Sequence, residues 1–461
     1  MRTFFRKVAF RIFRCIVRVA QNLPFGADRF PAALAAWRIA SRTRVIVEVP
    51  GASRVAVFDA FRFRHDVDLI GAERRLTLLE LPVADLQAVS ALFSTRPPLE
   101  THEAYYYFLE TDERCWAERE KLADFVQKVC RSLAHRLSLD AAISPGVFYE
   151  YEIPWSAGFR DIGKQFVAVH KEFTVMGPEN MQERIKRFAQ QRRKFHGTGV
   201  YVVNELAARL FTESGIAQTD QVKVVGLPRM DALFQRFDTR NPDCQPVSEK
   251  KEGKQITLFS FAHYGGDLEP GERRSKLFSK YDHEGFVRLF NEVHGMMGRL
   301  ALNFPDAKFV IKPKNVVDWW TTEIDAAIVA ATGRHVGEIP NLSVEDRPPH
   351  DLLAESDAVI GFNSTVLLES KIARKTTILP LFAEATDRYP DNVYLKENAD
   401  IFICPNSAEA MESVLRQVLL GEAVAEPASQ KRVSEVLNFY LGYSDGNCTR
   451  RFIDEFCAAI G

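Results

Sequence analysis

Residues 351–379 read DLLAESDAVIGFNSTVLLESKIARKTTIL, and this stretch decides the fold class. An apolar run at 358–360 is followed by a polar turn at 361–365, a helical pattern and a second apolar run that ends at 379. Continuous apolar runs of this kind are typical of strands that are buried on both faces of a parallel sheet. The stretch therefore predicts a strand–turn–helix–strand unit of an α/β domain.

The turn places Asn363, Ser364 and Thr365 at the start of the predicted helix, and Glu369 follows on the same helix face. Unpaired N–H groups and the helix dipole make a helix start a favourable place for a phosphate. Two alternatives remain open at this point. The hydroxyl residues can serve only as helix caps, and Glu369 can be a surface carboxylate that pairs with a neighbouring lysine or arginine.

Strand–helix units of the same kind occur on both sides of this stretch. Before residue 240, apolar runs predict strands at 141–148, 165–169, 199–203 and 222–225. After residue 255, they predict strands at 256–261, 308–311 and 401–403. Such alternation predicts parallel sheets.

Residues 237–254 lack apolar periodicity and are rich in charge, proline and glycine, so a linker is expected at 241–254. The expected organisation is an N-terminal α/β domain at 23–240, a C-terminal α/β domain at 255–430 and a helical tail at 431–461. Residues 23–140 have the weakest secondary-structure signals of the chain. They predict strands at 44–49, 54–61 and 76–81 and a long helix at 117–137.

The composition is that of an ordinary soluble protein: 461 residues, 46% hydrophobic, 26% charged, with a net charge of −1. Nucleic-acid-binding proteins usually carry a basic surplus, so this balance argues against a nucleic-acid partner. The seven cysteines are dispersed and form no CxxC pair, which favours a reducing compartment and predicts no zinc site. No metal and no cofactor is expected from the motifs of this chain.

Residues 1–22 carry basic side chains at helical spacing and no acidic residue. Apolar side chains line another face of the same predicted helix. A basic amphipathic helix suits an anionic membrane surface, so the protein is expected to be cytoplasmic and peripheral on the inner face of the cytoplasmic membrane. The alternatives are a helix docked on the protein's own body or a mitochondrial-type presequence.

Ligands of open α/β folds bind at the carboxyl ends of the strands, so polar residues at those ends are the site candidates. His170 and Glu172 follow the predicted strand at 165–169, and either can act as a general base. Arg229, in GLPRMD, can clamp a phosphate or carboxylate, or form a structural pair with Asp231. In the C-terminal domain, His263 and Lys312 follow strands and can contact an anionic ligand. For His170, Glu172 and His263, the alternative is a solvated loop position.

Five segments, in this order, resemble a known family: QFVAVHKE, VYVVNELAARLFTESGI, VKVVGLPRMD, FVIKPK and DLLAESDAVIGFNSTVLLESKIARKTTILPL. The family is that of the GT-B-type transferases of bacterial surface and capsular polysaccharide biosynthesis. This broad group includes the CDP-glycerol glycerophosphotransferase-like proteins. The resemblance covers residues 140–450 and does not extend to the first 140.

The resemblance implies an α/β fold with two Rossmann-like domains that face each other across a cleft. The C-terminal domain would bind a nucleotide-activated donor, and the N-terminal domain a glycan or lipid-linked glycan acceptor. Ser364, Thr365 and Glu369 fall on the donor-binding element, His263 on the loop after the first C-domain strand, and Lys312 on a basic strand-end position. The segment after the later strand reads KPK, without the histidine expected of a glycerophosphotransferase, and this departure favours a sugar donor.

The resulting expectation is a metal-independent glycosyltransferase with His170 or Glu172 as the base. Asn363, Ser364, Thr365, Glu369, Lys312, His263 and Arg229 would bind the donor. The alternatives are a polyol-phosphate transferase, a nucleotide-sugar epimerase, and a non-catalytic GT-B-like scaffold in a polysaccharide assembly complex.

Overall fold

The structure is a computed structural model of the whole chain. It describes residues 29–90, 116–148, 150–172, 174–191, 194–237, 253–261, 285–313 and 318–461. The chain divides into two compact units. Unit 1 comprises Met1–Glu172, Gln182–Arg229 and Asn447–Gly461, and unit 2 comprises Phe173–Met181 and Met230–Gly446.

Unit 1 contains a seven-stranded sheet. Its strands are Arg44–Val47 (β1), Arg54–Val57 (β2), Thr77–Glu80 (β3), Ala141–Ser144 (β4), Gln165–His170 (β5), Gly199–Val202 (β6) and Val222–Val224 (β7). Their order is β1-β3-β2-β4-β5-β6-β7. The β1 strand is antiparallel to β3, and the other neighbouring pairs are parallel.

The helices of this part of the chain are Arg29–Arg42 (α1), Arg64–Ala72 (α2), Val83–Ser90 (α3), Trp116–Leu137 (α4), Ile153–Asp161 (α5), Pro178–Gln191 (α6) and Glu205–Glu213 (α7). Residues of α6 are divided between the two units. The last helix of the chain, Cys448–Ile460 (α16), belongs to unit 1.

Both faces of the unit 1 sheet are covered, as the alternation of side chains along β2 demonstrates. Ala56 and Phe58 pack into one apolar cluster, together with residues of α1, α4 and α5. Val55 and Val57 point to the opposite face, into a cluster that includes residues of α2 and α16. This three-layer arrangement explains why the strands read as continuous apolar runs in the sequence.

Unit 2 contains a five-stranded sheet in which every neighbouring pair is parallel. Its strands are Gln255–Phe259 (β8), Lys308–Lys312 (β9), Leu342–Val344 (β10), Ala358–Gly361 (β11) and Thr376–Ile378 (β12), in the order β10-β9-β8-β11-β12. Its helices are Asp231–Phe237 (α8), Val287–Asn303 (α9), Asp318–Thr332 (α10), Pro349–Glu355 (α11), Val366–Ile372 (α12), Glu384–Asp387 (α13), Ala408–Leu420 (α14) and Gln430–Leu441 (α15).

The predicted fold class is confirmed: the chain is α/β and forms two units, each built on a largely parallel sheet. The predicted strand at 401–403 is reduced to a single bridge between Ile378 and Ile403. Residues 431–461, treated as one tail from the sequence, form two helices that belong to different units. The described part of residues 23–140 supplies three strands of the unit 1 sheet, including the antiparallel β1. No helix in the described ranges has the length and apolar character needed to cross a membrane.

Candidate functional site

The unit 2 sheet reverses its strand order between β8 and β11. From β8 the chain adds β9 and β10 on one side, and it then crosses to the other side to add β11 and β12. In open α/β sheets, the crevice at the carboxyl ends of two such strands is where ligands bind. The turn at 361–365 follows β11 directly, so it lies at this switch point.

Aromatic rings hold the ends of β8 and β11 together. The ring centroids of Phe261, which follows β8, and Phe362, which follows β11, are 5.0 Å apart. Phe286 packs against Phe362 with a centroid distance of 4.8 Å. Buried aromatic contacts of this kind add stability beyond their area and fix ring positions. The polar residues of the turn therefore follow a phenylalanine, Phe362, whose position is fixed by its packing against Phe261 and Phe286.

Asn363 adopts the left-handed helical conformation, with φ of 50°. Asparagine tolerates this conformation better than most residues. Its side-chain amide donates to the carbonyl of Asn392 at 2.8 Å, and its Oδ1 accepts from the backbone N–H of Tyr394 at 2.7 Å. Both ends of the side chain thus bind the 390–394 loop, which gives Asn363 a structural role in shaping the turn.

Ser364 and Thr365 keep partly exposed side chains at the start of α12. The Oγ of Ser364 accepts from the N–H of Val366 at 3.3 Å, and the hydroxyl of Thr365 donates to Oε1 of Glu369 at 2.9 Å. Glu369 is 7% exposed and its Oε2 lies 3.7 Å from Nε2 of His350. The carboxylate therefore does not pair with Lys371, which binds Glu426 at 2.7 Å.

Lys312 ends β9, in register with Phe259 at the end of β8. Its ammonium group binds Oδ1 of Asp346 at 2.9 Å, and the lysine side chain is 10% exposed while that of Asp346 is 64% exposed. A salt bridge with one exposed partner contributes little stability. An incoming anion can therefore replace Asp346 at low cost.

A buried hydrogen-bond network beside Lys312 was not predicted from the sequence. Ser260 follows β8, and its N–H donates to the carbonyl of Lys312 at 2.9 Å. The indole N–H of Trp320 donates to Oγ of Ser260 at 2.9 Å, and Nε2 of His294 lies 2.9 Å from the same oxygen. Since Nδ1 of His294 lies 2.7 Å from the carbonyl of Phe290, it carries the proton and Nε2 accepts from Ser260. The network fixes the end of β8 at the switch point.

In unit 1, His170 ends β5 but does not face solvent. It is 2% exposed, and its ring lies edge-on against Phe148 and Phe211, at centroid distances of 5.4 and 4.8 Å. Burial lowers the pKa of His170 from 6.5 to about 3, and the charge of Lys171 adds to the effect. The imidazole is therefore neutral at pH 7 and is a weak base.

The residues after β5 and β7 of unit 1 meet around Asp66. Glu172 is exposed, and Arg229 is partly buried, with its backbone N–H donating to Oδ1 of Asp66 at 2.9 Å. Lys171 donates to the carbonyl of Arg62. Burial and the charge of Arg229 lower the pKa of Lys171, and the charge of Asp66 opposes this. The structure thus places Glu172 and Arg229 at the carboxyl edge of the unit 1 sheet, where Lys171 and Arg229 carry positive charge.

Several predicted features lie outside the described residues. These are His263, the basic segment 1–22 and most of the linker at 241–254. Within the described ranges, no group of three or more His, Cys, Asp or Glu side chains is placed to hold a metal ion. A surface groove of about 500 Å³ follows α14 and is lined by residues such as Glu412 and Arg416, not by strand ends.

No protein-family model matches the chain, and no curated protein sequence matches it. Among solved structures, the chain is similar to a UDP-GlcNAc 2-epimerase from Neisseria meningitidis bound to UDP-GlcNAc, with a TM-score of 0.47 and 12% identity over 88% of this chain and 100% of that one. It is also similar to an α,α-trehalose 6-phosphate synthase from Burkholderia multivorans, with a TM-score of 0.45 and 12% identity over 89% of this chain and 96% of that one. At this identity, the residues of each sheet edge have to be judged on their own geometry.

Proposed function

We propose that this chain is a metal-independent glycosyltransferase of the GT-B type, which moves a sugar from a nucleotide-activated donor to a glycan or lipid-linked glycan acceptor. The observation that carries the proposal is the position of the 361–365 turn at the switch point of the unit 2 sheet. That is where α/β domains bind nucleotides. The resemblance to surface-polysaccharide transferases supplies the reaction class.

The residues at this switch point suit a diphosphate. The hydroxyls of Ser364 and Thr365 are partly exposed, and Lys312 can exchange Asp346 for a phosphate oxygen. In the reaction, the bond between the anomeric carbon and the phosphate oxygen breaks, and its electron pair stays on the leaving diphosphate. Positioned donors and a buried cation stabilise that developing charge without a metal ion.

Unit 1 would bind the acceptor. Lys171 and Arg229 lie at the carboxyl edge of its sheet, and a cationic edge suits the phosphate of a lipid-linked glycan. Of the two predicted bases, Glu172 is exposed, whereas His170 is enclosed and neutral. Glu172 is therefore the better candidate to accept the proton of the acceptor hydroxyl as that oxygen attacks the anomeric carbon.

Calorimetric titration with CMP, CDP, UDP and GDP tests the donor site. One of these nucleotides is expected to bind, and its affinity is expected to fall at least about tenfold in each of Ser364→Ala and Lys312→Ala, since one hydrogen bond to a charged group is worth about 1.5–3 kcal/mol. Ser413→Ala is the matched control, because Ser413 is an exposed serine on α14. Unchanged affinity in both site variants would refute the donor site.

The products formed from the nucleotide-activated donor then distinguish glycosyl transfer from epimerisation and from the absence of a reaction. A glycosyltransferase releases the nucleoside diphosphate in step with glycosylation of the acceptor, and it remains active in EDTA. Isomerisation of the nucleotide sugar without an acceptor would establish an epimerase instead. If none of a panel of nucleotide sugars and CDP-polyols binds or reacts, the chain is the non-catalytic scaffold of the sequence-based alternatives.

A further inference from the structure

The unit 1 sheet has its own switch point, between β2 and β4. From β2 the chain adds β3 on one side, and it then crosses to β4 on the other. Asp59 lies just beyond β2, and Tyr151 and Glu152 lie beyond β4, immediately before α5. None of these three residues is among the site residues predicted from the sequence. The two acidic residues flanking Tyr151, directly after the predicted strand at 141–148, are the signal that could have identified them.

Asp59 adopts the left-handed conformation at this point, with φ of 44° and ψ of 48°. Aspartate, like asparagine, tolerates this conformation better than most residues with a Cβ. The residue is 7% exposed. Its Oδ2 accepts from Nε of Arg62 at 2.8 Å and from the hydroxyl of Tyr151 at 3.3 Å. The turn therefore places the carboxylate of Asp59 beside the hydroxyl of Tyr151.

Glu152 is 3% exposed, and neither of its carboxyl oxygens has a hydrogen-bond partner of ordinary geometry among the described residues. The nearby hydroxyl of Ser144 donates to the carbonyl of Gly146 at 3.1 Å, and that of Tyr151 is directed to Asp59. Although Glu152 precedes α5, its side chain makes no capping bond, and Pro154 offers no N–H.

Burial raises the pKa of Glu152 well above its usual range. The negative charge of Asp59 raises it further, and the nearby hydroxyls and the charge of Arg62 oppose the shift. A carboxyl group in this setting holds its proton to a higher pH than a solvated one, because the charged form is desolvated. A neutral carboxyl group offers one donor and one acceptor.

Glu152 is also one of the residues that line a small pocket. The pocket measures about 10 Å³, which is close to the room that a single water-sized group requires. Its other walls include the polar residues Ser156, Lys194 and His196 and the rings of Phe166 and Phe195. Lys194 is engaged with the carbonyl of Gly215 at 2.6 Å. Among the residues that line this pocket, Glu152 is the one whose buried side-chain oxygens lack a hydrogen-bond partner of ordinary geometry among the described residues.

We propose that Glu152, with Asp59 and Tyr151 beside it, forms a hydroxyl-binding subsite at the switch point of unit 1, whose ligand is a neutral carbohydrate. A sugar hydroxyl both donates and accepts, which matches a neutral carboxyl group. An anionic sugar is disfavoured because Asp59 carries a negative charge there and the nearby cations are already engaged, Arg62 with Asp59 and Lys194 with the carbonyl of Gly215. As an acceptor subsite this inference rests on the proposed function.

The test compares Glu152→Gln with Glu152→Ala in the full-length protein. Binding of neutral sugars (glucose, galactose and N-acetylglucosamine) is measured by saturation-transfer NMR, with glucuronate as the anionic comparison. Glutamine keeps one donor side and one acceptor side, so Glu152→Gln is expected to bind within about threefold of the parent at pH 6. Glu152→Ala is expected to lose affinity by about tenfold or more, which corresponds to a loss of about 1.4 kcal/mol or more. Glu183→Gln, exposed on α6, is the matched control.

A pH series separates a binding role from a purely structural one. As pH rises through the pKa of Glu152, the parent is expected to lose affinity for the neutral sugar because the carboxyl group loses its donor, while Glu152→Gln is expected to keep it. The other charged groups near the carboxyl group are Asp59, Arg62, Lys194 and His196, and all of them are retained in that variant. Equal pH profiles for the two proteins, or preference for glucuronate, would overturn the subsite. Nucleotide titration on the same samples reports the unit 2 site separately, so failure of one proposal is distinguishable from failure of the other.

Discussion

His170 provides a quantitative test of the enclosed environment at the end of β5. Its pKa is lowered from 6.5 to about 3 in the folded protein, with burial as the main cause. Below pH 6.5 the unfolded chain therefore binds a proton that the folded chain excludes. The stability contributed by the neutral ring is present above pH 6.5, and it is lost as pH falls towards 3.

Each pH unit in that window costs about 1.4 kcal/mol per excluded proton. Between pH 7 and pH 5 the expected loss from His170 alone is about 2 kcal/mol, because part of the first unit lies above 6.5. Replacing the ring by leucine removes the titrating group. His170→Leu is therefore expected to lose about 2 kcal/mol less stability over this interval than the parent, whatever its absolute stability.

Hydrogen-exchange mass spectrometry in a urea series, at pH 5, 6 and 7, provides the measurement. Peptides from β5 and β6 report unit 1, which matters because a protein of two units need not unfold in one step. His135→Leu on α4 is the control, since it replaces an exposed histidine of unit 1 by leucine. If the parent and His170→Leu lose equal stability between pH 7 and pH 5, the ring is protonated in the folded state and the account of its burial is wrong.

Three further outcomes are expected. Glu384→Gln should lower the free energy of unfolding of unit 2 by about 1–3 kcal/mol in urea. Glu384 is 2% exposed, and its carboxylate accepts from the N–H groups of Arg288 and Leu289 at the start of α9, at 2.9 and 3.0 Å. The control, Glu409→Gln, replaces an exposed residue in the first turn of α14 and should change stability far less. Ser260→Ala should lower the free energy of unfolding by about 1–3 kcal/mol and weaken nucleotide binding, since it removes the oxygen that joins His294 to Trp320 at the end of β8. Unchanged nucleotide affinity would mean that this hydrogen-bond network does not support the nucleotide site. Deletion of residues 1–22 should abolish sedimentation with vesicles that contain anionic lipid, and binding that persists would reject the membrane role of this segment.

Much of the fold could be predicted because the relevant signals are local. The apolar runs before His170 and before the 361–365 turn are strands in the structure, since a strand covered on both faces needs apolar side chains at every position. The strand order could not be predicted in this way. It depends on contacts between residues far apart in sequence, such as the pairing of β2 with β4 across more than 80 residues. The antiparallel β1 and the return of α16 to unit 1 depend on contacts of the same kind.

The same distinction applies to the candidate sites. Position at a strand end is a local property, so the sequence could nominate His170, Lys312 and Ser364. Whether such a residue faces a ligand depends on its packing: aromatic rings from two other segments enclose His170, and Asp346 binds Lys312. These partners are 22 to 41 residues away along the chain, as the numbering of Phe148, Phe211 and Asp346 relative to their partners shows.

The two switch points differ in charge, and this difference favours different ligands for the two sheets. The unit 2 switch point offers hydroxyls and a lysine held by an exposed, exchangeable carboxylate, which suits a diphosphate. The unit 1 switch point offers a buried carboxyl pair, which disfavours anions and suits neutral hydroxyl groups. If nucleotide binding is lost in Ser364→Ala and sugar binding is lost in Glu152→Ala, each without an effect on the other ligand, the two sheets bind chemically different substrates. A variant that abolished both would indicate a single shared site and would contradict the separate assignments.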